Sequence, residues 1–153
     1  MLGLLYTLEL KQENKVTSIN LTPSAIILSG RLTSLSTTSR HKKLCQWYKI
    51  QATNYLTARS QYLSAQTGLK PSSITVKTYN ARWGSCNTMG EIQYNWKIIQ
   101  APKEVIDYLI IHELCHLKHH NHSKAFWQCV ESFYPNFKDA QDWLKSHSSK
   151  LNI

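Results

Sequence analysis

No two cysteines of this chain stand at C-x-x-C spacing, no apolar run approaches the length of a membrane span, and acidic residues are half as many as basic ones. Each shortage excludes something. Cys45, Cys86, Cys115 and Cys129 lack the paired spacing of a zinc ribbon or a dithiol redox motif. They are also too few, in 153 residues, for a secreted disulfide scaffold. Reduced thiols in a cytoplasmic protein are the expectation. The run Tyr108–Ile111 is closed off by Asp107 and His112, far short of the roughly 20 residues a bilayer requires. No membrane span is expected. The N-terminus, Met1-Leu2-Gly3-Leu4-Leu5-Tyr6, has neither a basic leader nor a long apolar stretch, so no signal peptide is expected. With 9 Asp and Glu against 18 Lys and Arg, the formal charge is +9. That excess permits an anionic partner such as nucleic acid but specifies none.

What is present suits a folded protein: 42% of residues are apolar and 10% aromatic. The length fits one domain over residues 1–153, with a short β-rich part at 1–43 and a helical and hairpin core at 44–148. Tyr6, Leu8 and Leu10, then Val16, Ile19 and Leu21, then Ile26 and Leu28 alternate weakly as two or three short strands. The Ser- and Thr-rich residues 33–41 read as a connection. From Leu44 to Thr67 there is neither Pro nor Gly, and apolar residues recur at helical spacing until Gly68 and Pro71 stop the helix. Ile74 to Thr78 and Ile92 to Trp96 read as the arms of a long hairpin with Gly84 and Gly90 in its loop. Residues 91–96 are expected at the sheet edge, where an extended peptide can add by main-chain pairing. A buried helix runs from Pro102 to about Lys118, a second from its cap Ser123 to Pro135, and a last one over 138–147.

Five of the seven histidines fall between residues 112 and 122. His112 and His116 are four apart on the buried helix, so both imidazoles leave one face, with Cβ atoms about 5 to 6 Å apart. One metal ion can sit between them. Glu113, one step round the helix, can reach a metal-bound water without being a ligand. This is the H-E-x-x-H arrangement. A catalytic zinc takes three protein ligands and leaves a fourth position for water. His122 is the favoured third ligand, because Asn121 can close the first helix and Ser123 can cap the next, bending the chain at 119–122. Glu131 is its rival. His119 and His120 point along the helix and belong beside the ligands or in solvent. The histidine spacing matches H-E-x-x-H-x-x-G-x-x-H, but His119 stands where that pattern has Gly. No Met follows residue 89, so a downstream Met-turn is excluded.

The motifs Arg82-Trp83-Gly84-Ser85-Cys86, Asn95-Trp96-Lys97, Ala101-Pro102, Val105-Ile106-Asp107-Tyr108, His112-Glu113-Leu114-Cys115-His116-Leu117 and Asn121-His122-Ser123 with Phe126-Trp127 run through the chain. Together they resemble the YgjP-like metallopeptidase family, over about Leu44 to Trp143. The resemblance implies kinship to SprT-like and WLM metalloproteases, whose third ligand is also a histidine after the helix. It implies an α+β, zincin-like fold: a small antiparallel sheet packed on a central H-E-x-x-H helix, with additional N- and C-terminal helices.

The expected function is a Zn2+-dependent peptidase or amide hydrolase acting on a protein or peptide. His112, His116 and His122 hold the metal, and Glu113 activates its water. His119, His120, Tyr94 and Arg82 are candidates for a second donor to the oxyanion. The alternative is a nucleic-acid-associated zinc protein, either with structural zinc or as a DNA-recruited SprT-like protease. The remaining residues have plainer readings. The five tryptophans are expected to pack in the core and Cys115 to be a small buried hydrophobe. Cys86 is a minor candidate for a thiolate near the metal. Lys42, Lys43, Lys49 and Arg59 are expected to form a solvated helix face.

Overall fold

Strand pairing in the first thirty residues brings together segments too polar to stand alone. In the structure, a computed structural model that describes residues 1–151, they form β1 (Thr7–Gln12), β2 (Ser18–Leu21) and β3 (Ala25–Gly30). β3 lies in the middle, parallel to β1 with Leu10 opposite Leu28, and antiparallel to β2 with Ile19 opposite Leu28. Only β3 is buried along most of its length.

Helix α1 (Thr37–Thr67) begins seven residues before Leu44. The Ser- and Thr-rich stretch supplies its own cap, since the Ser36 hydroxyl accepts the Ser39 N–H at 3.2 Å. Gly68 ends the helix at φ 71°, the left-handed region that glycine enters without strain. The buried stripe of α1 is Ala52, Leu56, Ser60 and Ser64, four residues apart and mostly small, which lets the backbone come close to its neighbours. Its two serines are satisfied: Ser60 Oγ donates to the Tyr94 hydroxyl at 3.2 Å, and Ser64 Oγ to the Leu69 carbonyl at 2.6 Å.

The second sheet departs from the expected hairpin. β4 (Ser73–Lys77) and β6 (Glu91–Asn95) are parallel, with Val76 opposite Tyr94. A three-residue strand, β5 (Gly84–Cys86), pairs antiparallel with β6 on its other side. The true hairpin is therefore β5–β6, turned by Asn87, whose side-chain oxygen accepts the N–H groups of Met89 and Glu91 at 3.1 and 2.9 Å. β6 is the central strand, so the expectation that residues 91–96 form an edge for an incoming peptide is corrected. β4 and β5 are the edges. Trp96 lies past the strand, in a helical turn over Trp96–Gln100. Both sheets are small and mixed rather than antiparallel, within the α+β architecture.

Helix α2 (Lys103–Cys115) occupies the centre, with nine of its thirteen residues buried. The Pro102 carbonyl opens it by accepting the Val105 and Ile106 N–H groups, both at 3.1 Å. α3 (Lys124–Phe133) and α4 (Phe137–His147) pack against it. Ile92, Tyr94, Ile98, Ile99, Ile106, Ile110, Leu114, Phe126 and Val130 form the apolar centre. Trp96 is buried as expected, Trp83, Trp127 and Trp143 lean on the core half-buried, and Trp47 on α1 is half-buried outside it. Cys115 is buried, and the four cysteines are free thiols. Among the described residues no helix is long and apolar enough to cross a membrane.

One member of the basic face of α1 is paired rather than fully solvated. Arg59 forks onto Asp107 of α2 with two bonds of 2.7 Å, and its guanidinium also lies over Tyr62, 4.8 Å from the ring centroid. The pair ties the longest helix to the central one through groups partly withdrawn from water. Asp107→Ala removes the acceptor and leaves the guanidinium stranded, which is expected to cost about 1–3 kcal/mol in urea unfolding. Lys49→Ala, on the exposed face, should stay within about 0.5 kcal/mol. Equal effects of the two substitutions would refute the tie.

Candidate metal centre

His112 and His116 project from the last turn of α2 because four residues make just over one helical turn. The helix then stops. The His119 N–H returns to the Cys115 carbonyl at 3.0 Å and the chain reverses. α3 starts where the Ser123 hydroxyl accepts the Phe126 N–H at 3.3 Å. That reversal carries His122 back over the pair. The three rings sit 4.8 to 5.0 Å apart between centroids, and each offers a nitrogen within 4.8 Å of the other two. His112 Nε2 and His122 Nε2 face each other at 3.0 Å.

The second nitrogens settle the chemistry of the set. His116 Nδ1 lies 2.9 Å from the His119 carbonyl, which can only accept, so Nδ1 carries the proton and Nε2 keeps its lone pair. Burial and the two neighbouring imidazoles push the His112 pKa down to about 3. Burial also lowers that of His116. Both imidazoles are therefore neutral near pH 7, and His112 Nδ1 is buried without a hydrogen-bond partner. Neutral imidazoles whose ring nitrogens converge in this way make a donor set that fits zinc. Aromatic rings back the cluster: Phe126 stacks on His116 at 4.4 Å and Trp127 on His122 at 5.6 Å between centroids.

Glu113 leaves α2 towards β5 and is only 4% exposed. Its carboxylate lies over Gly84 so closely that a Cβ there would fall 2.4 Å from Oε1 and 2.8 Å from Cγ. Burial raises the Glu113 pKa to about 8, while the positive charge of Arg82 pulls the other way. A carboxyl with such proton affinity is suited to taking and returning a proton near neutral pH.

The other residues singled out from the sequence fall in several places. Tyr94 is fully buried on the central strand, its hydroxyl accepts the Ser60 bond, and burial raises its pKa. Arg82 is exposed, stacked over Tyr79 at 4.6 Å, on the Glu113 side of the site. His119 gives its carbonyl to His116, and the ring of His120 is exposed. Neither joins the cluster, nor does Glu131. The Cys86 thiol is pushed up to about 11 by burial and by Glu113, so it stays protonated. The contacts of Gly84, Phe126 and Trp127 had no signal in periodicity, although all three stand in the quoted motifs.

The Gly84 contact gives a prediction that needs no assay of activity. Gly84→Ala drives a methyl group into the Glu113 carboxylate and should cost about 1–3 kcal/mol of stability by overpacking. Gly68→Ala, whose methyl would meet nothing within 4 Å, should cost about 1 kcal/mol, from its backbone angle alone. Denaturant melts of both variants check this, and an unchanged midpoint for Gly84→Ala would contradict the packing described.

The sequence profile of the YgjP-like metallopeptidase domain matches residues 1–147, more than the Leu44 to Trp143 stretch in which its motifs are legible. No curated protein matches the chain in sequence. Two solved structures are similar in fold. One is the metallopeptidase zymogen of Pyrococcus abyssi abylysin, with a TM-score of 0.54 at 22% identity, covering 60% of this chain and 92% of that one. The other is the metallopeptidase zymogen of Methanocaldococcus jannaschii jannalysin, with a TM-score of 0.51 at 18% identity, covering 61% of this chain and 95% of that one. With the profile spanning nearly the whole sequence, the chain belongs to the YgjP-like metallopeptidase family of hydrolases.

Proposed function

We propose that this protein is a zinc-dependent peptidase in which His112, His116 and His122 hold the metal and Glu113 is the general base. The observation that carries the reading is the convergence of three imidazoles beside one buried carboxylate that is not part of their set. A structural zinc site closes its coordination with a fourth protein ligand. Among the described residues the cluster offers three.

A zinc ion in that set supplies Lewis acidity, which polarises a carbonyl and lowers the pKa of water toward about 7. The chain's own residues do the rest. The His119 carbonyl fixes the His116 tautomer, and Phe126 and Trp127 stack against the rings of His116 and His122. Glu113, held in place by its packing on Gly84, takes the proton of the attacking water and returns it to the leaving amine. Arg82, whose charge acts on Glu113, and His119, His120 and Tyr94 are the candidate donors to the developing negative charge. The substrate class is a peptide or protein, and four free thiols fit a reducing cytoplasm.

The test separates metal binding from chemistry. Zinc-loaded protein should hydrolyse unstructured peptides, and Glu113→Gln should keep one equivalent of metal while losing about 10²–10⁴ in kcat, the usual contribution of general acid–base catalysis. His122→Ala should lose the metal itself. Full activity in Glu113→Gln, or one equivalent of tightly held zinc in His122→Ala, would overturn the assignment.

A further inference from the structure

On the β5 side of Glu113, the residues leading into that strand enclose a second feature. Tyr79, Asn80, Arg82, Trp83, Lys97 and Ser148 line a cleft of about 470 Å³, within the range of ligand sites. Among the described residues its lining brings the Arg82 guanidinium, the Lys97 ammonium, the side-chain amides of Asn80 and Asn95, hydroxyls and two aromatic rings, and no carboxylate. Trp83, in its lining, directly precedes Gly84, on which the side chain of the proposed general base lies.

The cleft is built rather than incidental. Asn95, 3% exposed at the end of β6, donates its side-chain amide to the carbonyls of Tyr79 and Arg82 at 3.0 and 3.2 Å. Its backbone N–H bonds to the Trp83 carbonyl at 2.8 Å. One buried residue thus ties down both ends of the 79–83 segment. The Tyr79 hydroxyl donates to Gln93 Oε1, which pins the ring, and the Arg82 guanidinium lies against that ring at 4.6 Å. Trp83 Nε1 donates to Ser148 Oγ at 3.0 Å and closes the far wall. A cation–π contact of the guanidinium carbon with the ring is not a hydrogen bond and consumes no N–H donor. Arg82 is therefore oriented while its fork stays available for two parallel bonds to a carboxylate.

We propose that this cleft is a substrate subsite that binds a carboxylate of the peptide, with Arg82 as its anchor. The proposal rests on the peptidase reading above. The carboxylate can come from an Asp or Glu side chain or from the peptide C-terminus, since both present the same planar pair of oxygens.

The test uses full-length, zinc-loaded Glu113→Gln protein, so that binding is read without turnover. Three labelled octapeptides of one sequence differ only in carboxylates: an internal Glu with an amidated end, Gln with a free C-terminus, and Gln with an amidated end. At least one of the first two should bind tenfold or more tightly than the third, and the tighter one identifies the source. Adding Arg82→Gln should bring all three within threefold of one another, and Arg82→Glu should favour a fourth peptide with Lys in place of the internal Glu. Intrinsic tryptophan fluorescence on titration of the Arg82-containing protein, to which Trp83 contributes, gives a second readout needing no substitution in the cleft. Equal binding of the three peptides, or a preference that survives both Arg82 substitutions, overturns the subsite. Turnover by the Glu113-containing enzyme is scored separately. Cleavage without carboxylate preference refutes the subsite alone, and carboxylate preference without cleavage upholds the subsite while refuting the peptidase reading.

Discussion

The whole arrangement depends on α2 ending where it does. Had the helix continued, His122 would stand about 9 Å further along the axis than His116, at about 1.5 Å per residue. No single cation would then span the set. The helix stops instead at Cys115, whose carbonyl accepts the Lys118 and His119 N–H groups at 3.1 and 3.0 Å. The same turn sends the His119 carbonyl to His116 Nδ1. One reversal of the backbone therefore brings in the third imidazole and fixes the tautomer of the second. Phe126, fully buried at the start of α3, fills the space behind the rings.

A second constraint comes from the sheet. β5 is only three residues long and begins with the glycine that the Glu113 carboxylate requires. Its neighbour β6 ends in Asn95, which holds the segment before β5 through three hydrogen bonds. The buried carboxylate, the glycine beneath it and the asparagine that positions the preceding loop form one continuous piece of structure. Arg82 lies on the same piece, which is why its charge reaches Glu113 at all. The site is thus assembled from two sides, imidazoles from the helix ends and the wall facing Glu113 from the sheet.

Residues carrying local signals were legible in the sequence. The central helix followed from Val105, Ile106, Leu109 and Ile110 at helical spacing, and the turn toward His122 from Asn121 and Ser123. The start of α1 was not, because Ser36 caps a helix whose first turn looks like linker in composition. The β5–β6 hairpin is hidden because a three-residue strand is too short to show alternation, and alternation alone does not tell the parallel β4–β6 pair from a hairpin. Tyr94 illustrates the limit on site residues. Alternation shows that it shares a face with Ile92, but not that α1 brings Ser60 to cover its hydroxyl. The Glu113–Gly84 contact joins residues far apart in sequence, and no periodic pattern records it.

The central claim is a metal held by three imidazoles with one position left open. Zinc-edge X-ray absorption on protein loaded with one equivalent of the metal tests it most directly. The account predicts three histidine nitrogens at about 2.0–2.1 Å and one exchangeable light-atom ligand that a small anion displaces. A sulfur ligand, a fourth histidine, or failure to retain one equivalent after dialysis would contradict it.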